Sequence, residues 1–167
     1  FRSSTENYEL VVGKVKSVHH PYNEYTLPVL EPHGKQMNLV VRAFNDGLAF
    51  RYQFPEQKGW NDYTLLEEHS TFNFVDNPQL HALFLPSYTT SHEGIYTTTR
   101  LQNIKEDTLM DIPALFECDR GIYVAITEAA LLDYAGMYLV KHKAELTTAL
   151  SPLPGQSNVK VIAQLPH

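Results

Sequence analysis

The run Met37-Asn38-Leu39-Val40-Val41-Arg42-Ala43-Phe44-Asn45-Asp46-Gly47-Leu48-Ala49-Phe50-Arg51-Tyr52-Gln53-Phe54 decides the fold of this chain. Met37, Leu39, Val41 and Ala43 recur at every second position before the turn, and Leu48, Phe50, Tyr52 and Phe54 do so after it. A period of two marks a strand, because successive side chains point to opposite faces of a sheet. Asn45-Asp46-Gly47 supplies residues that suit a tight hairpin turn. Pro55 has no N–H to give to a ladder and ends the pairing.

Working towards the N-terminus, residues 22–30 and 8–18 read as strands joined through His19-His20-Pro21, with a turn over 31–35. Towards the C-terminus, strand character returns over 65–74, 80–85 and 96–101. Asp76-Asn77-Pro78 is a turn, and residues 102–107 form a solvated connection. Residues 112–116 pass through Asp119-Arg120-Gly121 into 122–126, which predicts a second hairpin. Strands follow over 137–146 and 147–150, then Pro152, Pro154 and Gly155 break the pattern before 159–165. About a dozen short strands must bury their apolar faces against one another, which predicts an all-β chain built as a large two-sheet antiparallel β-sandwich. No internal repeat or linker divides it, so residues 1–167 read as a single domain.

The chain has 167 residues, 43% hydrophobic and 19% charged, the balance of a globular protein with a proper core. Its net charge of −6, with Lys and Arg scattered singly, offers no footprint for phosphate backbones, so no nucleic acid partner is expected. No apolar run approaches the roughly 20 residues of a membrane-spanning helix. Residues 1–5 do not read as a signal peptide. Cys118 is the one cysteine, and the neighbouring acids Glu117 and Asp119 disfavour a thiolate, so it reads as a small packed residue.

No phosphate loop, cysteine-pair metal signature or nucleophile elbow is present, and the chain carries no complete catalytic set. The eight histidines are dispersed, apart from His19-His20 at an expected turn. Trp60 in the polar stretch 56–62 reads as a packed ring or as a ring open to a ligand. Residues 86–94 combine hydroxyls, rings and a carboxylate in a surface loop, where function concentrates. The stretch 121–137 differs from the rest. It starts as an apolar strand and places Glu128 where the strand pattern ends, followed by Ala129-Ala130-Leu131-Leu132, too short for a stable helix and read as an irregular bend. On spacing alone Glu128 is either an exposed edge carboxylate or a positioned ligand. Tyr134 is placed to orient it or to pack as a ring.

Asn7-Tyr8-Glu9-Leu10-Val11-Val12-Gly13-Lys14, Tyr22-Asn23-Glu24, Arg42-Ala43-Phe44-Asn45-Asp46-Gly47-Leu48-Ala49-Phe50-Arg51-Tyr52 and Ile126-Thr127-Glu128-Ala129-Ala130-Leu131-Leu132-Asp133-Tyr134-Ala135-Gly136-Met137 occur in that order. Together they resemble the N-terminal domain of glycoside hydrolase family 97, whose members include α-glucosidases and α-galactosidases of Bacteroidetes. The resemblance implies a β-super-sandwich that precedes a catalytic (β/α)8 barrel, with this chain a truncated form of that sandwich. It places the catalytic carboxylates in the barrel and none here.

The resemblance further implies an active-site Ca²⁺ with one ligand lent by the N-terminal domain, and Glu128 matches that donor. Thr127 stands where the family often has a histidine. Asn23, Glu24, His92 and Glu93 are weaker candidates for the substrate edge or the metal. The implied partners are the barrel of the same polypeptide and an oligosaccharide at their interface. The implied location is the periplasm or the cell exterior. A free-standing carbohydrate-binding module, using Trp60 and the loop around Tyr88, is the alternative, and a purely structural or protein-binding sandwich is a third.

Overall fold

The computed structural model describes residues 1–143 and 145–167. The strands are β1 (Arg2–Glu9), β2 (Ser17–Leu30), β3 (Gln36–Phe44), β4 (Leu48–Gln53), β5 (Asp62–Leu65), β6 (Gln79–Ala82), β7 (Phe84–Leu85), β8 (Thr97–Arg100), β9 (Leu109–Met110), β10 (Ala114–Glu117), β11 (Tyr123–Ile126), β12 (Met137–His142), β13 (Glu145–Leu150) and β14 (Val161–Gln164). The only helical turns among the described residues are two short 3-10 turns, at Leu101–Asn103 and Asp119–Gly121. The chain is all-β, as its periodicity predicts.

Two compact units emerge. The first comprises Phe1–Tyr63 with Ala163–His167, and the second Thr64–Ile162. In the first, β1 to β4 form one antiparallel sheet in sequence order. The hairpin of β3 and β4 pairs Val41 with Phe50 and Ala43 with Leu48, and the Phe44 N–H closes the turn onto the Gly47 carbonyl at 2.8 Å.

The expected turn at His19-His20-Pro21 is corrected. Those residues lie inside β2, opposite Asn7, Glu6 and Thr5, and the chain reverses instead over 10–16, where Leu10 N–H donates to the Lys16 carbonyl at 2.8 Å. Gly13 in that reversal has φ 140, a conformation that L side chains rarely adopt. Pro21 is tolerated in β2 because β3 begins pairing only at Tyr22, and Pro28 because β1 has stopped pairing at Glu24. Each proline therefore sits where β2 has a neighbour on one side only.

The second unit holds the sandwich core. One sheet has the order β11-β10-β6-β8 and the other β13-β12-β9-β7. Leu80, Ala82, Ala114, Phe116 and Ile126 from the first sheet meet Met110, Leu139 and Leu146 from the second, with Ile104 completing the cluster. The alternation is strict where it matters: Ala114 and Phe116 are buried while Leu115 between them is exposed. Phe74 stacks on Phe116 with ring centroids 4.5 Å apart.

Residues 65–74, expected to be a strand, are mostly irregular after β5 ends at Leu65. They run beside β13, bonding Phe72 N–H to the Leu146 carbonyl at 2.7 Å and Thr148 N–H to the Ser70 carbonyl at 2.9 Å. The continuous strand expected over 137–146 is broken by a reversal between β12 and β13, where Lys143 has φ 56. Ala144 lies outside the described residues.

Candidate functional site

β11 ends at Ile126, and no regular element follows until β12 begins at Met137. Between them the chain bends through two left-handed residues, Ala130 at φ 53 and Asp133 at φ 51. Both carry a Cβ that disfavours this conformation, so neighbouring contacts must hold the bend. Gly136 accepts from Ser151 N–H at 3.0 Å, Ala135 is buried, and the Tyr134 hydroxyl donates to Glu68 Oε2 at 3.0 Å.

Glu128 is half-buried at the start of this bend, and its Oε2 accepts from Met137 N–H at 3.3 Å. Burial raises its pKa above the ordinary value; the Met137 bond works against the rise and the negative charge of Glu68 adds to it. A carboxylate that is partly dried, held by one backbone donor and facing a second negative charge is a hard oxygen donor suited to a divalent cation. One such group supplies only a small part of the six to eight oxygens that Ca²⁺ takes, so it fits as one ligand among several.

A second cluster adjoins it. His92 Nδ1 lies 2.8 Å from Asp111 Oδ2, and its Nε2 lies 3.5 Å from the Tyr138 hydroxyl. The Tyr88 ring meets Tyr138 edge-on at 5.1 Å, and Lys160 Nζ sits 5.8 Å from the Tyr88 ring centre. Burial raises the Tyr138 pKa, and the charges of Asp111, Tyr88 and Glu128 raise it further. Glu93, next in the loop, is exposed, and its backbone N–H donates to Ser91 Oγ at 3.4 Å.

Asn23 and Glu24 lie in the first unit with partners of their own. Glu24 is buried, and its two oxygens take Arg2 Nε and Arg42 Nε, each at 2.7 Å. The two guanidinium groups hold its carboxyl below the usual range. Asn23 Oδ1 accepts from Ser3 Oγ at 2.7 Å beside an open groove of about 310 Å³. Trp60 packs edge-on against Phe54 at 6.0 Å, with Lys35 Nζ 4.9 Å from its ring centre. Burial and the acids Asp76 and Asp119 raise the Cys118 pKa, in keeping with a packed thiol.

Sequence reasoning did not single out Glu68, Asp111 or Tyr138. Glu68 sits in the polar run Glu67-Glu68-His69-Ser70, with no spacing that ties it to Tyr134 across 66 positions. It also passed over Glu106, Asp107 and His142, which each bring one ligand atom within 4.8 Å of the others on the exposed surface of the second unit.

Two antiparallel sheets closed around one core, with a bent strand connection presenting a half-buried carboxylate, define a β-sandwich module. The chain belongs to the glycosyl-hydrolase 97 N-terminal family, whose model matches residues 1–165. It is 29% identical over 114 residues to a retaining α-galactosidase of Bacteroides thetaiotaomicron, covering 63% of this chain and 17% of that protein. A probable retaining α-galactosidase of Streptomyces bingchenggensis is 29% identical over 147 residues, or 88% of this chain and 22% of that one. The structure of a glycoside hydrolase family 97 enzyme from Pseudoalteromonas sp. strain K8, in complex with acarbose, superposes with a TM-score of 0.79 at 28% identity, covering 98% of this chain and 24% of that one. The chain therefore spans about a fifth of the length of the curated relatives it matches. No helix among the described residues is long and apolar enough to cross a membrane.

Proposed function

We propose that this chain is the non-catalytic N-terminal domain of a calcium-dependent α-glycoside hydrolase, an α-glucosidase or α-galactosidase. In this reading it packs on a catalytic (β/α)8 barrel of the same polypeptide, at an interface that takes the oligosaccharide, and lends Glu128 to the active-site Ca²⁺. The supporting observation is the half-buried Glu128 carboxylate, fixed through Oε2 by Met137 N–H at 3.3 Å. Bound there, Ca²⁺ would supply Lewis-acid stabilisation of charge; the role of Glu128 is to present an oxygen held in place. His92, whose Nε2 lies 3.5 Å from the Tyr138 hydroxyl, is the next candidate to meet substrate. In this reading the enzyme is exported, periplasmic or secreted.

The test is the longer polypeptide that carries this chain, compared with its Glu128→Gln form. The calcium concentration for half-maximal turnover rises in the variant; an unchanged calcium requirement with unchanged turnover sinks the donor role. The chain alone is expected to leave aryl α-glycosides intact, since this reading puts the catalytic carboxylates in the barrel.

A carbohydrate-binding module is the second reading, favoured by the Tyr88, Tyr138 and His92 rings gathered within 6 Å centre-to-centre contacts. Oligosaccharide titration of the chain alone separates the two, because a module binds by itself.

A further inference from the structure

We propose that Glu68 is a positioning residue for Glu128, acting through Tyr134 to fix the bend that presents the metal-donor carboxylate. The proposal rests on the calcium reading of Glu128 for its functional meaning, but its structural content stands apart from that reading. Glu68 is itself held firmly: Thr148 Oγ1 donates to its backbone carbonyl at 2.8 Å, and Ser70 Oγ donates to its Oε1 at 2.7 Å. Ser70 in turn is bonded through its carbonyl to Thr148 N–H, on a strand whose Leu146 and Leu150 are buried. The Glu68 carboxylate is thus fastened to β13, part of the sandwich itself.

From that fixed point the remaining oxygen, Oε2, takes the Tyr134 hydroxyl at 3.0 Å. Tyr134 lies three residues before Met137, whose N–H holds Glu128. The bend between Glu128 and Met137 cannot hold itself. It contains two left-handed non-glycine residues, and Leu131 and Leu132 at its tip are 49% and 74% exposed. A side-chain tie from its interior to a rigid strand removes alternative conformations of the bend. The Ser151 bond to Gly136 fixes the last residue before β12, whereas the Glu68 tie acts inside the bend, nearer the carboxylate. Outer partners that orient a metal ligand commonly change metal affinity by about 10- to 100-fold.

The experiment measures amide hydrogen exchange of Met137 in this chain without calcium, comparing Tyr134→Phe, Glu68→Ala and Glu68→Gln with the parent. Tyr134→Phe and Glu68→Ala are expected to speed Met137 exchange about tenfold, with Leu139 and Leu146 amides unchanged. Glu68→Gln keeps an acceptor oxygen for one hydroxyl and offers the other, which can also accept, an N–H donor, so it is expected to keep protection near the parent's. Met137 exchange that stays at the parent rate in Tyr134→Phe overturns the proposal. So does an acceleration shared by Leu139 and Leu146, which marks general destabilisation. The calcium requirement of the longer polypeptide is measured in parallel, and Tyr134→Phe is expected to raise it about tenfold. If Glu128→Gln leaves that requirement unchanged while Met137 exchange responds as expected, the calcium reading fails and the positioning survives. If Glu128→Gln raises the requirement but Tyr134→Phe changes neither readout, positioning fails and the calcium reading survives.

Discussion

Met137 N–H donates to Glu128 Oε2 at 3.3 Å, so the first residue of β12 holds the carboxylate that follows β11. The bond reaches back across nine positions of irregular chain and faces a carboxylate that burial and Glu68 make costly to ionise. A carboxyl with a raised folded pKa destabilises the folded state when ionised; that penalty is full above the raised pKa and disappears as pH falls below the ordinary 4.5. Glu128→Gln is therefore expected to melt at a higher temperature than the parent near pH 7 without calcium. The gap should narrow as the buffer approaches the ordinary carboxylate range. Thermal denaturation across pH checks this, and a variant that melts lower than the parent at neutral pH contradicts it.

Glu24 behaves oppositely. Arg2 and Arg42 bond its carboxylate and lower its pKa, so its stabilising contribution is present above the ordinary 4.5 and is lost as pH falls through the lowered value. Arg42 also bonds Glu6 at 2.7 Å and lies over the Tyr22 ring at 4.6 Å. Replacing Arg42→Met is expected to move the Glu24 titration midpoint upwards, lowering the stability of the first unit at neutral pH and flattening its loss of stability in acid. Carboxyl chemical shifts followed against pH measure it directly.

The strand alternation of 37–54 and the hairpin into β11 were legible because each depends on neighbours in sequence: period-two burial and a turn residue set. The placement of Glu128 at a strand end was legible for the same reason. Its surroundings were not. Glu68 meets Tyr134 only because residues 65–74 run beside β13, and an irregular segment bonded to a strand leaves no period to read. His19-His20-Pro21 misled because proline signals a break in isolation, while in the sheet Pro21 faces a side that β3 does not reach.

Phe116 is fully buried, stacks on Phe74 and sits between the two sheets of the second unit. Phe116→Ala removes that ring and leaves a cavity, with an expected loss of about 3–5 kcal/mol. Leu132→Ala, on the exposed tip of the bend, is expected to stay within about 0.5 kcal/mol of the parent. Denaturant titration of both variants tests whether the core lies where the burial places it, and a large loss for Leu132→Ala would mean that the bend tip is packed.

Tyr63 gives the first unit an alkaline limit. Its ring stacks on Phe54 at 4.3 Å, its hydroxyl pairs with His167 Nδ1, and burial pushes its pKa up to about 12. The unfolded phenol ionises near 10, so the folded state loses stability as pH rises from there and levels off only beyond the raised value. Tyr63→Phe is expected to flatten this alkaline slope. Phenolate absorbance should show one fewer late-ionising tyrosine in the variant.

One face of the sheet in the first unit is apolar. Tyr25, Leu27 and Val29 share a face of β2, each 47–50% exposed. Antiparallel register places Val41 and Phe50 beside Tyr25, and Leu39 and Tyr52 beside Leu27, on the same face. Leu48, 70% exposed, extends it. The buried positions of this sheet, Tyr22, Glu24 and Val40, lie on the opposite face. A continuous apolar face in water favours association, because joining two such faces removes apolar area from solvent. The chain alone is therefore expected to self-associate with rising concentration in sedimentation experiments. Leu27→Lys with Leu48→Lys places two charges on that face while leaving every buried residue intact, and it is expected to weaken the association and reduce binding of a hydrophobic dye. A parent chain that sediments as a monomer at high concentration contradicts the prediction, as does a variant that associates as strongly as the parent.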